Sequence, residues 1–145
     1  GPYWSFENQI ATGTYSKKPG KIESISGNLK NMVANLRYTK ENTPFQATVQ
    51  GQTVTVDASR DNRNVFIQKY ILMADTDTVD WKFPETWLTL SKAELGELVL
   101  AGANYIQTQF DWEKSYADRI DNTINIEDLK TIYNELMSSS DYSEV

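Results

Sequence analysis

The sequence predicts an α+β fold, a small antiparallel sheet from two β-hairpins packed against helices, with a long helix and a short C-terminal helix. Three observations predict it. Two pairs of alternating, β-branched segments are each interrupted by turn residues. Apolar residues at spacings of three and four occupy the stretches around them. Hairpins separated by helices favour an antiparallel layer with helices on one face.

Residues 3–21 mix aromatics with Gly, Ser, Thr and Lys and show no sustained period; Tyr3-Trp4-Ser5-Phe6 reads as a short strand or as an anchor for the N-terminus. Lys18-Pro19-Gly20 signals a turn. Ile22, Ile25, Leu29, Met32, Val33 and Leu36 then follow one helical face, with Gly27 and Asn28 restricting the firm part to about 28–38 and Asn42-Thr43-Pro44 ending it. Phe45–Val49 and Thr53–Val56 flank Gln50-Gly51-Gln52 as a first hairpin. Asp57, with Ser59 as the alternative, caps a helix carrying Val65, Phe66, Lys69, Tyr70 and Met73. Val79–Phe83 and Trp87–Leu90, joined by Pro84-Glu85, read as a second hairpin. Ser91 and Glu94 form a capping box opening the long helix, whose apolar spacing persists to Ile120. Asn125 caps a last helix with Leu129, Ile132, Tyr133 and Leu136, and the chain is expected to fray from Ser138 onward.

The composition narrows the chemistry. With 145 residues, no cysteine and no histidine, disulfides, thiolate metal sites, thiol nucleophiles, the usual serine triad and typical zinc sites drop out together. General acid–base work would rest on carboxylates, lysines and tyrosines, so the reading is a non-enzymatic domain with no cofactor and no metal. No apolar run approaches the ~20 residues of a membrane span, and the start has no signal-peptide pattern. Gly1-Pro2 reads as a tag scar. Net charge is −6, with seven Lys/Arg against four Asp/Glu over 1–60 and seven against sixteen over 61–145. This acidic balance makes nucleic acid an unlikely partner, and Lys17, Lys18 and Lys21 are too few to reverse it.

Four constellations are candidates for chemistry. Asp75, Asp77, Asp80 and Glu85 lack the glycine and terminal glutamate of a calcium loop and read as a polar turn. Asp111, Glu113, Asp118 and Asp121 fall on the side of the long helix away from its apolar stripe, where charges are normally solvated, not paired for glycoside hydrolysis. Trp81 and Trp87 read as core. Trp112 and Tyr116, with Tyr105, form the candidate interaction surface, since Trp112 sits beside the main stripe. Gly96 and Gly102 within the long helix admit either a close backbone approach or simple tolerance.

The ordered set Gly51–Arg60, Val79-Asp80-Trp81-Lys82, Leu88–Leu95 and Asp118-Arg119-Ile120 resembles an uncharacterised domain of bacteriophage tail, tail-fibre and tail-fibre-assembly proteins over residues 45–122. The long helix is less alanine-rich than in that family, and the C-terminal helix is additional. No catalytic residues are implied; Asp57, Ser59, Trp81, Trp87, Ser91 and Glu94 are expected to define the fold. The resemblance divides the chain into a scar at 1–2, an N-terminal segment at 3–44, the tail-associated core at 45–122, and a C-terminal helix and tail at 123–145. It implies a virion-tail component made in the host cytoplasm, a tail or fibre protein as partner, and a homotrimer through the long helix. A fibre-assembly chaperone absent from the virion and a small acidic inhibitor of a host protein are the alternatives; a host glycan has no support in the sequence.

Overall fold

A computed structural model describes residues 4–9 and 19–139. The fold is α+β, as expected: α1 (Phe6–Gln9), α2 (Pro19–Glu41), β1 (Phe45–Val49), β2 (Gln52–Val56), α3 (Arg60–Leu72), β3 (Thr78–Lys82), β4 (Trp87–Ser91), α4 (Lys92–Asp121) and α5 (Ile126–Met137). The readings on residues 1–2, Lys17, Lys18 and 140–145 lie outside the described residues. The chain divides into two units, Gly1–Lys40 with Phe110–Val145, and Glu41–Gln109.

In the first unit the core is helical. Ile25, Leu29, Val33 and Leu36 of α2 and Leu129, Ile132, Tyr133 and Leu136 of α5 are buried with Ile120 of α4 and Phe6 of α1. Spacings of three and four put each set on one face, so burial follows the sequence period. The N-terminal aromatics act as an anchor: Trp4 meets Tyr133 edge-on at 5.6 Å, and Phe6 lies 5.7 Å from the same ring. Asn125 caps α5 by accepting the Asp128 N–H at 2.8 Å.

Helix α2 is longer than 28–38. Pro19 and Gly20 open it instead of forming a turn, because proline's missing N–H has no intrahelical partner in a first turn anyway. Gly27 and Asn28 lie within it; the burial of Ile25 and the packing of Ile22 against the same core outweigh their weak propensity.

The second unit holds both hairpins, each a separate two-stranded sheet. β1 pairs with β2 in the register Val49↔Gln52, leaving Gln50 and Gly51 as a two-residue turn. Both have positive φ, 53° and 74°, the left-handed geometry that matches strand twist in a type I′ turn. Glycine takes it freely, whereas Gln50 is unusual there, and its amide donates to the Thr89 carbonyl at 2.7 Å. β3 pairs with β4 from Thr78↔Ser91 to Lys82↔Trp87. The hairpins, α3 and the start of α4 enclose a core that includes Val54, Val56, Phe66, Leu90, Leu95 and Leu98.

The Ser91–Glu94 capping box forms as expected. The Ser91 N–H donates to the Glu94 carboxylate at 2.9 Å, and the Glu94 N–H to the Ser91 hydroxyl at 3.1 Å. The backbone bond from Ser91 holds the Glu94 carboxyl below its ordinary value of 4.5. A depressed folded-state pKa adds stability above the unfolded value and loses it as pH falls through the folded one. Glu94→Ala is therefore expected to lower the melting temperature near neutrality, with the gap to wild type closing as pH falls below about 4. Thermal melts of both proteins across pH check this, and a gap independent of pH contradicts it. Ser91→Ala is expected to cost about 1 kcal/mol at any pH.

At α3 the cap is Ser59, the alternative to Asp57, and its side chain makes no cap bond. Asp57 instead accepts the Ser59 N–H at 2.8 Å, an Asx turn that carries β2 into the helix. Trp81 packs on the core, stacked on Phe66 with ring centroids 4.5 Å apart. The core reading of Trp87 is corrected, because that ring is 63% exposed. Strand alternation explains this: Leu88 and Leu90 point inward, which sends Trp87 outward, where the Lys82 ammonium lies 5.9 Å from its ring.

Candidate protein-interaction groove

Helix α3 sets the site. It carries Val65, Phe66, Ile67, Tyr70, Ile71 and Leu72 in a span of eight residues, more apolar side chains than one helical face holds. Phe66 is buried, while Val65, Ile67, Ile71 and Leu72 are exposed. On one flank of α3, between it and α4, lies an apolar groove of about 70 Å³. Its walls are Val56, Ala58, Ile67, Leu98 and Val99, and Gly102 opens it, since a Cβ there would meet nothing within 4 Å. The volume matches one aliphatic side chain, the size of a single anchor of a protein partner. Asp57 and Arg63 are the charged residues at its edge.

A second, larger hollow of about 430 Å³ shares Val56, Asp57 and Phe66 with the first. Pro44, Val65, Trp81, Phe83 and Pro84 give it a largely apolar lining, with Lys82 and Asn62 as polar groups. The Phe66–Trp81 stack holds both hollows in shape, since Phe66 lines each of them.

The residues singled out from the sequence are divided between the two units. Tyr105 stacks on Phe45 at 4.7 Å in the Glu41–Gln109 unit. Trp112 and Tyr116 belong to the other unit, 5.1 Å apart and packed against its core. Both are half-buried, with the Lys40 ammonium 4.9 Å from the Trp112 ring and the Arg119 guanidinium 5.9 Å from that of Tyr116. Burial, and then the Glu135 carboxylate, push the Tyr116 hydroxyl above its ordinary value. Arg119 pairs with Glu135 across α4 and α5, and this hydrogen bond holds Glu135 below the usual carboxylate range. The group is a brace between two helices. Gly96 makes room for a side chain, not a backbone: an added Cβ would lie 2.8 Å from the Tyr70 ring.

Six of the candidate carboxylates hold local structure. Glu113 pairs with Arg37 at 2.6 Å, Asp118 with Lys114 at 2.6 Å and Asp121 with Lys30 at 2.7 Å. Asp77 accepts the Ala74 N–H, Asp80 the Thr89 hydroxyl, and Glu85 both the N–H and the hydroxyl of Thr55. The Thr55 bonds lower the Glu85 pKa. Among the described residues, no three carboxylates gather where they could hold a metal ion. No helix there is long and apolar enough to cross a membrane.

Sequence reasoning passed over the groove. The available signals were Gly102, which sits without a cap role inside a strong helix, and the surplus of apolar residues on α3.

Fold and site define an α+β domain with an apolar groove at the junction of two helices. The chain belongs to the family described as a domain of unknown function (DUF4376), whose model matches residues 26–135, from within α2 into α5. No curated protein and no solved structure matches it.

Proposed function

We propose that the chain is a non-enzymatic protein-interaction module of a bacteriophage tail or tail fibre, and that its α3–α4 groove takes an apolar side chain of a tail or fibre protein. The observation that carries the interaction reading is the groove itself, apolar, open and the size of one anchor residue. Its setting in a phage tail rests on the ordered motifs from Gly51 to Ile120. A fibre-assembly chaperone would use the same groove and differ in leaving the particle.

Gly102→Leu tests this reading. A Cβ there meets nothing within 4 Å, and replacing glycine inside a helix gains up to about 1 kcal/mol, so the variant is expected to fold. It fills the groove from within. Tagged wild-type chain is expected to retain a tail or fibre protein from a host-plus-phage lysate, and Gly102→Leu to lose it. Failure of the wild type to retain any tail protein refutes the phage-tail reading. Retention unchanged by Gly102→Leu refutes the groove as the binding site. Mass spectrometry of purified particles then separates component from chaperone, since only a component remains in the virion.

A further inference from the structure

The groove and the larger hollow beside it share the wall residues Val56, Asp57 and Phe66, so one chain segment lying over Asp57 reaches both. Each hollow has a cationic neighbour, and neither cation answers Asp57. Arg63, on the groove side, has its guanidinium 3.8 Å from the buried Glu41 carboxylate. Lys82, on the other side, belongs to the exposed face of β3, where its ammonium lies 5.9 Å from the Trp87 ring. Asp57 itself is exposed and makes no ion pair among the described residues. Its Oδ1 accepts the Ser59 N–H at 2.8 Å, which fixes the carboxylate where β2 ends and leaves Oδ2 without a donor among those residues. The surrounding unit has the same sign, with nine Asp/Glu against five Lys/Arg over 41–109.

We infer that the polypeptide segment taken by this site carries a Lys or Arg beside its apolar anchors, the cation pairing with Asp57 while the anchors fill the hollows on either side. The inference rests on the groove reading above and adds the chemistry of the partner to it. Apolar walls select side chains by size and accept many sequences. A fixed, unpaired carboxylate at the shared rim disfavours segments that bring Asp or Glu there and favours a cation. The acidic field of the unit acts in the same direction on the rate of encounter. The hollows differ in volume, about 70 and 430 Å³, so one takes a small aliphatic anchor and the other a bulkier apolar one.

Selection from a displayed library of random peptides, with the whole chain as bait, tests this. On wild type the selected peptides are expected to share apolar residues with a Lys or Arg among them. Asp57→Asn removes the charge and keeps the turn, because the amide oxygen still accepts the Ser59 N–H. On that variant the apolar residues are expected to persist and the preference for Lys or Arg to disappear. A peptide selected on wild type is expected to bind Asp57→Asn about two- to fivefold more weakly, as for a solvent-exposed ion pair, with the difference closing in high salt. On Gly102→Leu the apolar enrichment itself is expected to be lost. Apolar enrichment without a basic preference, or a basic preference unchanged by Asp57→Asn, overturns this inference and leaves the groove reading standing. No selected peptide, or a selection indifferent to Gly102→Leu, overturns the groove reading and this inference with it.

Discussion

Phe66→Ala is expected to destabilise the protein by about 3–5 kcal/mol, the range for removing a buried aromatic side chain. Phe66 is 9% exposed and sits in the core of the Glu41–Gln109 unit. Its ring stacks on Trp81 with an interplanar angle of 19°. Truncation removes the apolar burial, the ring contact and the shared wall of both hollows at once. Val65 and Ile67 on either side are exposed and do not share in the packing of this core. Phe66→Leu keeps most of the volume and is expected to cost under about 2 kcal/mol. Urea denaturation of the three proteins measures both values. A loss below about 1 kcal/mol for the alanine variant would mean that α3 is not held by this ring.

The second large effect concerns charge. Glu41, the last residue of α2, is fully buried, and its carboxylate accepts from the Arg60 Nε at 3.1 Å, with the Arg63 guanidinium at 3.8 Å. A buried carboxylate is costly once its cations are removed, whereas an apolar residue of similar size in its place is often neutral. Arg60→Ala with Arg63→Ala is therefore expected to cost about 3 kcal/mol. Adding Glu41→Leu is expected to recover most of the loss, although two ion pairs are then gone. The same denaturation experiment decides it: a triple variant no more stable than the double shows that the stranded carboxylate is not the source of the loss. Nothing local in the sequence marks Glu41 as buried, because its cations come from α3.

Much of the fold was readable because it depends on local rules. The capping box at Ser91 and Glu94, the Asn125 cap and the hairpin turn at Gly51, read one residue too long because Gln52 already belongs to β2, act within a few residues of themselves. The apolar stripes of α2 and α5 likewise bury the residues their spacing selects. Misreadings arose where two local rules competed. Gly27 and Asn28 argued against a helix that burial of Ile25 enforces. Trp87 suggested core by its size, and strand alternation turned it outward.

By itself, the sequence determined the α+β class, the order of helices and hairpins, and the absence of imidazole and thiol chemistry. It determined these because caps, turns and hydrophobic periods act over a few residues, and composition needs no structure at all. Only the tertiary structure decided which apolar faces find partners. It buried Glu41 against two arginines, separated Tyr105 from Trp112 and Tyr116 into different units, and left Val65, Ile71 and Leu72 of α3 in solvent. A period of three and four marks a face, but whether that face is covered depends on residues far away in the chain. The groove beside Gly102 has the same origin, since its walls come from β2, α3 and α4 and exist only once those elements have packed.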